Sequence, residues 1–271
     1  MKVSIILSTY NMPQWLEKVL WGYEAQSYKD FEIIVADDGS TQETKSLLKR
    51  FERSSTLQIK HVWHPDNGFQ KCIILNQAIL ACSSDYIIFS DGDCIPRHDF
   101  IATHVAYAEK GHFLSGGYFK LSMSISEQIT KKDINSGNCF QKKWLLSNGL
   151  EKTSKLKKLT AQGLTANLMN KITPTTASWN GHNASGWKAD FLHINGFNEE
   201  MQYGGEDREF GERLINNGIK PKQIRYSAIV VHLDHKRGYV KPAMIEKNNQ
   251  IRQETKKNKT IKTSYGIRKP N

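Results

Sequence analysis

A chain of 271 residues and 31.0 kDa, 38% hydrophobic and 24% charged, has an ordinary globular composition and is long enough to bury a sizeable core in one large domain or two small ones. Its formal charge is +11, and the excess sits in two places: residues 141–160 hold six Lys against one Glu, and residues 241–271 hold nine Lys or Arg against two Glu. The first apolar run, Val3 to Leu7, is too short for a signal-peptide core, no later run reaches the roughly 18 apolar residues of a membrane span, and four cysteines without C-x-x-C spacing argue against a zinc knuckle or disulfide framework, so a cytoplasmic chain with free thiols is expected.

In chain order, "KVSIILST" is a continuous apolar run suited to a strand buried on both faces. "MPQWLEKVLWGYEAQ" follows, with Pro13 at a helix start and apolar residues at helical spacing. The same alternation recurs in "FEIIVADDGST" then "QETKSLLKRFE", in "LQIKHVWH" then "FQKCIILNQAILAC", and in "DYIIFSDGD" then "RHDFIATHVAYAEKG". Four strand-helix units in series predict an α/β fold with a mainly parallel central sheet flanked by helices. The rhythm breaks after "FLSGGYFKLS": residues 123–170 are Lys-, Ser- and Thr-rich and read as a basic helical insertion outside the sheet. "GGEDREFGERLINNG" predicts a helix that stops at Gly218, and "YSAIVVHLDH" a last strand. From Lys241 apolar periodicity is lost, which predicts a helix or a loose tail, with the last dozen residues a solvated, poorly ordered end.

Ligands collect at the carboxyl edge of such a sheet, and "STYN", "DDGS", "HPDNG" and "DGD" all fall there. Asp91 and Asp93, two residues apart beyond a buried strand, cannot both stay ionised and dry, since each uncompensated buried charge costs several kcal/mol. A solvated turn would answer for an isolated D-x-D. A divalent cation carrying diphosphate oxygens would equally neutralise the pair, Mg²⁺ or Mn²⁺ being the oxygen-seeking candidates. "DDGS" follows another strand, and a turn with a helix N-cap at Ser40 or Thr41 does not require its two aspartates.

"VSIILSTYN", "FEIIVADDGST", "SDGDCIP" and "GGEDREFGERL" resemble, in order and spacing, the family 2 glycosyltransferases of GT-A fold. "NGFNEEMQYGGEDREFGERLINNGIK" and "HLDH" are similar to the branch holding the bacterial chondroitin polymerase domains and β-1,4-galactosyltransferases. The likeness covers roughly residues 3–122 and 178–235. It implies an inverting enzyme that moves a hexose or N-acetylhexosamine from a UDP-sugar donor to a glycan or glycolipid acceptor, in surface polysaccharide or lipopolysaccharide synthesis. It also implies the site. Ser8, Tyr10, Asp38, Lys71, Asp91 and Gly92 would bind the nucleotide sugar, Tyr10 stacking on the base and Asp38 accepting from the uracil N–H. Asp93 with His232 or His235 would hold Mn²⁺ or Mg²⁺, a carboxylate-imidazole set suiting Mn²⁺ somewhat better. Asp207 would be the catalytic base, and Glu206 would bind an acceptor hydroxyl. Relatives often carry Trp-Gly before Glu-Asp where this chain has Tyr203-Gly204-Gly205, so Tyr203 would supply the aromatic face, with Trp187 and Trp179 lining the acceptor pocket or simply filling core.

The resemblance divides the chain into a GT-A domain over 1–240 and a basic tail over 241–271. The domain comprises a donor half (1–122), the insertion (123–170) and an acceptor half (171–240). Trp144, Leu145, Leu146, Leu150, Leu156 and Leu159 mix with the insertion's lysines either as a solvated helical segment or as an interfacial one resting on an anionic inner membrane surface. Two rivals fit less well. A sugar nucleotidyltransferase should carry a Gly-rich phosphate loop after strand one, and "STYNMPQ" has none. A nucleic-acid-binding protein would interleave basic and aromatic residues on one folded face, so no nucleic acid partner is expected.

Overall fold

The computed structural model describes residues 1–236 and 240–269; the last two residues of the expected tail and residues 237–239 of the expected acceptor half lie outside that range. The strand-helix units form as read: β1 (Val3–Thr9), α1 (Pro13–Glu24), β2 (Phe31–Asp37), α2 (Gln42–Ser54), β3 (Ile59–Trp63), α3 (Lys71–Ala81), β4 (Tyr86–Asp91), β5 (Cys94–Pro96) and α4 (Phe100–Tyr107). Then come β6 (His112–Ser115), β7 (Gly117–Lys120), α5 (Met123–Gln128), α6 (Lys131–Asn135), α7 (Lys142–Ser147), α8 (Lys157–Thr160) and α9 (Gly163–Ile172). The chain ends with β8 (Ala184–Trp187), α10 (Lys188–His193), α11 (Glu206–Asn216), β9 (Lys220–Gln223), β10 (Ile229–His232) and α12 (Pro242–Lys257).

A seven-stranded sheet runs β3-β2-β1-β4-β8-β6-β9, with β3, β2, β1 and β4 parallel and β8 antiparallel to both its neighbours. Successive residues of β1 point to opposite faces, so Val3, Ile5 and Leu7 pack with α1 and α2 residues in one core, and Ile6 with α3 residues in the other. That explains the unbroken apolar run: both faces are covered, and each fully buried aliphatic side chain contributes about 1.5–3 kcal/mol. The register then fixes the polar edge, pairing Ser8 with Asp91 and Thr9 with Asp37. A second, three-stranded sheet, β5-β10-β7, sets His232 opposite Cys94. No helix of the described residues is long and apolar enough to cross a membrane.

Three expectations change. In the insertion, Leu145, Leu156 and Leu159 are buried in the same core as β1, and Trp144, Leu146 and Leu150 pack against it. Most of their apolar surface is therefore spent on the core, and the exposed aliphatics of this region are Leu164, Leu168 and Ile172 on α9. The tail, expected to be a helix or loose, is a helix that packs on α11, and its far end, though largely exposed, is pinned at Thr263, Gly266 and Ile267. Asn195 donates its side-chain amide to the carbonyls of Thr263 and Arg268, and a Cβ on Gly266 would stand 1.8 Å from the Asn195 carbonyl oxygen. Trp187 lies on β8 opposite Tyr86, at the end of β4 remote from Asp91, with its ring stacked edge-on to Tyr86 and its indole N–H donated to the Glu109 carbonyl. The antiparallel direction of β8 is what carries it away from the polar edge.

Buried Asn248 of α12 donates to the carbonyls of Gln202 and Gly204, so the tail helix braces the turn that leads into α11. Replacing it with Ala leaves both carbonyls short of a donor. We expect Asn248→Ala to cost about 1–3 kcal/mol in urea unfolding and to speed tryptic cleavage within residues 241–269. Unchanged stability together with unchanged cleavage would refute the bracing role.

Candidate functional site

A cavity of about 1180 Å³ opens at the carboxyl edge of the sheet, lined by residues from β1, β4, α3, α11 and the segment after β10. Ser8, Tyr10, Asp38, Lys71, Asp91, Gly92, Asp93, Tyr203, Glu206, Asp207, His232 and His235 all reach it. Trp187 lies elsewhere, and Trp179 has its ring in the core against Phe89, Phe113 and Phe210 and lines only a smaller neighbouring cavity.

Around the first two strands, Tyr10 is exposed and donates its hydroxyl to Asp66 Oδ2 (2.8 Å). Asp38 is buried and accepts from His64 Nε2 (2.7 Å) and the Gln70 N–H (3.0 Å); burial raises its pKa against those two bonds. The next residue, Lys71, opens α3 and reaches Asp91 Oδ1 at 3.1 Å, where the Ser8 hydroxyl also donates. Burial alone would push Asp91 up, but the Lys71 ammonium and Ser8 hold it down at about 2. Gly92 donates its N–H to the Ser8 carbonyl at 2.7 Å, an approach so close that a Cβ there would meet Thr9 and Ser8 at about 3.1 Å.

Asp93 faces two imidazoles: His235 Nε2 lies 3.0 Å from Oδ2 and His232 Nε2 lies 3.7 Å away. The Nδ1 of His232 is buried without a hydrogen-bond partner among the described residues. Cys94 donates its thiol to Asp93 Oδ1, where burial followed by the Asp93 charge raises its pKa, and Asp93, Cys94 and His232 bring possible ligand atoms within 4.8 Å of one another. One carboxylate and two imidazoles, one of them with an orphaned ring nitrogen, form a mixed oxygen-nitrogen set that fits a divalent transition-metal ion.

Across the cavity, Gly205 takes φ 96°, a left-handed conformation that glycine adopts without strain, and turns the chain into α11. Glu206 is buried and accepts from the Gly204 N–H at 2.8 Å. Burial, then the neighbouring Asp207 charge, pushes its pKa up to about 7. Asp207 is raised by burial against the pull of Lys71; it accepts from the backbone of Gly181, and its Oδ1 is buried without a partner. A Cβ on Gly181 would stand 2.7 Å from Asp207 Oδ2, so the glycine makes room for the carboxylate. For Lys71, burial opposes the ammonium, but Asp91, Asp207 and Glu206 outweigh it and hold its pKa well above the ordinary value.

Two residues were not anticipated, although they lie within "NGHNASG". Gly181 is one. His182 is the other: it lines the cavity, stacks edge-on with Tyr118 at 4.6 Å, and burial lowers its pKa to about 4, leaving it neutral at physiological pH. The glycine-asparagine density around them was the available signal, since such a run between strands marks a loop held close to something.

The glycosyl transferase family 2 model matches residues 4–165, and the model described as the N-terminal domain of galactosyltransferase matches residues 166–236. The chain is 28% identical over 241 residues to a chondroitin synthase of Escherichia coli, covering 80% of this chain and 32% of that protein. It is 25% identical over 253 residues to a validoxylamine A glucosyltransferase of Streptomyces hygroscopicus, covering 87% and 56%. It thus spans less than two thirds of the length of either relative. Among solved structures, S. aureus TarS 1–349 in complex with UDP-GlcNAc aligns with TM-score 0.60 at 17% identity, over 93% of this chain and 64% of that one. A Pyrobaculum calidifontis mannosyltransferase in complex with GDP-Man and Mn²⁺ aligns with TM-score 0.58 at 18% identity, over 88% and 58%. These likenesses show the GT-A fold.

A carboxyl whose folded pKa lies above its unfolded value binds more protons when folded, so its contribution falls as pH rises from about 4.5 to about 7. For Glu206 that shift corresponds to at most about 3 kcal/mol. Glu206→Gln, which keeps an acceptor for the Gly204 N–H, is expected to melt several degrees above wild type at pH 8.5, with the difference shrinking towards zero by pH 5. A difference independent of pH would show that Glu206 is not held protonated by its surroundings.

Proposed function

This chain belongs to glycosyl transferase family 2, and we propose that it is an inverting, metal-dependent glycosyltransferase moving a hexose or N-acetylhexosamine from a UDP-sugar to a saccharide hydroxyl in surface polysaccharide synthesis. The observation that carries this reading is the shared cavity: strand-end acids and a carboxylate-imidazole cluster on one side, and Glu206 and Asp207 on the other, with Lys71 between them. The match to a chondroitin synthase supports polysaccharide assembly, and TarS bound to UDP-GlcNAc supports a uridine donor. On this reading residues 1–122 hold the donor, and residues 171–240 supply the base and the acceptor surface.

Asp93, His232 and His235 would hold the metal. When bound, the divalent cation stabilises the charge that develops on the leaving diphosphate. Tyr10 offers its exposed ring to the base, Asp38 accepts from the uracil N–H with the lone pairs left by His64 and Gln70, and Lys71 approaches the phosphates. The acceptor hydroxyl gives its proton to Asp207 while its oxygen forms the new bond to the anomeric carbon. The bond from that carbon to the diphosphate oxygen breaks, and its electron pair leaves on the nucleotide. A carboxylate raised by burial is a stronger base than a solvated one. Glu206, beside it, orients the hydroxyl.

Asp207→Asn is expected to lower kcat by about 10²–10⁴-fold while leaving the thermal shift produced by UDP and Mn²⁺ intact. Asp93→Ala is expected to lose both turnover and the Mn²⁺-dependent part of that shift, as is wild type in EDTA. Nucleotide release with a panel of acceptors, alongside thermal shifts with UDP and GDP, checks both. Wild-type turnover in both variants would overturn the assignment, and a larger shift with GDP would replace uridine by guanosine.

A further inference from the structure

A second cavity of about 390 Å³ shares His182, Tyr203, Glu206 and Asp207 with the first and extends past Tyr118 to Lys158 and Arg225. Lys158 comes from α8 in the basic insertion, and Arg225 from the turn after β9. Lys158 is half-buried, with its ammonium 5.6 Å from the centre of the Tyr118 ring. Arg225 rests its guanidinium 5.8 Å from the Tyr226 ring. Neither pairs with a carboxylate among the described residues, and residues 152–189 contain no Asp or Glu at all while carrying six lysines. Burial lowers the Lys158 pKa, and the nearby Arg225 and Lys155 charges lower it further.

Two cations held close together and partly out of water repel one another and lose solvation, a cost that an anion placed between them removes. An arginine fork beside a lysine suits a carboxylate or a phosphate, which accept two parallel hydrogen bonds. Tyr118, 43% exposed and stacked on His182, gives the same groove an aromatic plate of the kind a sugar ring covers. Glu206 and Asp207 close its inner end, and both face Lys71.

We propose that the groove from Asp207 to Lys158 and Arg225 is an acceptor subsite for a saccharide bearing a negative charge, a carboxylate or a phosphate, with Lys158 and Arg225 binding the anion and Tyr118 packing on the sugar. This rests on Asp207 being the base of the transfer reaction. It gives the insertion's lysines a local role: Lys158 belongs to the substrate path.

The test is ligand-observed NMR titration of the full chain with UDP and Mn²⁺ present, using methyl β-D-glucuronide, glucose 6-phosphate and methyl β-D-glucoside as probes. Wild type should bind at least one anionic probe roughly tenfold more tightly than the neutral glucoside, about 1.4 kcal/mol. Which anionic probe wins distinguishes carboxylate from phosphate. A Lys158→Ala/Arg225→Ala variant should lose that preference while keeping the UDP-induced thermal shift, and Lys158→Arg should retain it. No preference in wild type, including no binding of any probe, overturns the proposal, as does a preference that survives in the double variant. If UDP produces no shift even in wild type, the donor reading fails instead, and the anion preference is judged by the probes alone.

Discussion

The site is organised around the ammonium of Lys71. Asp91 ends a strand about a third of the way along the chain, Glu206 and Asp207 begin a helix more than a hundred residues later, and all three are drawn to this cation. Burying those carboxylates in one cavity without a countercharge would cost several kcal/mol for each. The first turn of α3 does two jobs in consecutive residues, because Gln70 gives its N–H to Asp38 and Lys71 gives its ammonium to Asp91. The acids of the second and fourth strands are thereby tied to the same helix start, whose own position is set by Cys72, Ile74, Leu75 and Ala78 packing under the sheet.

The rest of the scaffold holds the two distant pieces against that centre. β8 enters the sheet antiparallel beside β4, and the loop before it brings Gly181 and His182 to the polar edge. Buried Arg213 donates to Glu209 and to the carbonyls of Ile194 and Gly196, fixing α11 against the loop after α10. From outside, Arg252 of α12 bonds Glu212 and Asn248 holds the turn at Tyr203. The N-terminus of α11 therefore projects its acids from a support fastened on two sides, which leaves Asp207 little freedom to turn away from the cavity.

The strand-end acids were legible because their cause is local. A two-face-buried strand gives a continuous apolar run, and a charge where that run stops can only lie at the sheet edge, so Asp38, Asp91 and Asp93 declare their place. Pairings between distant strands leave no such mark. His232 reaches Asp93 because β10 pairs antiparallel with β5, a three-residue strand too short to show periodicity. Trp187 could be read as facing a pocket because the direction of β8 is not encoded in four residues. How the tail docks was not legible: α12 is fastened by Asn248, Arg252 and Thr255 hydrogen bonds with Ile251 against the core, and polar docking leaves little hydrophobic signature. In the insertion, the leucines were visible but their destination was not, since a helix that fills the main core and one that meets a membrane can share a composition.

Because Asp91 and Asp207 draw on the same cation, charge beside Asp91 and the proton affinity of Asp207 are thermodynamically linked. Anything anionic that engages Lys71 from the nucleotide side weakens its hold on Asp207 and raises the proton affinity of that carboxylate. A divalent cation at Asp93 acts in the opposite sense, with distance and solvent screening its effect. The same coupling must operate in reverse, as any binding linkage does: an ionised Asp207 keeps Lys71 charged and in place to receive an anion. A buried lysine shared between acids thus does more than neutralise them. On the proposed reading it makes the basicity of Asp207 depend on whether an anion engages Lys71 from the other side of the cavity, so the carboxylate would be the stronger base with a diphosphate opposite it.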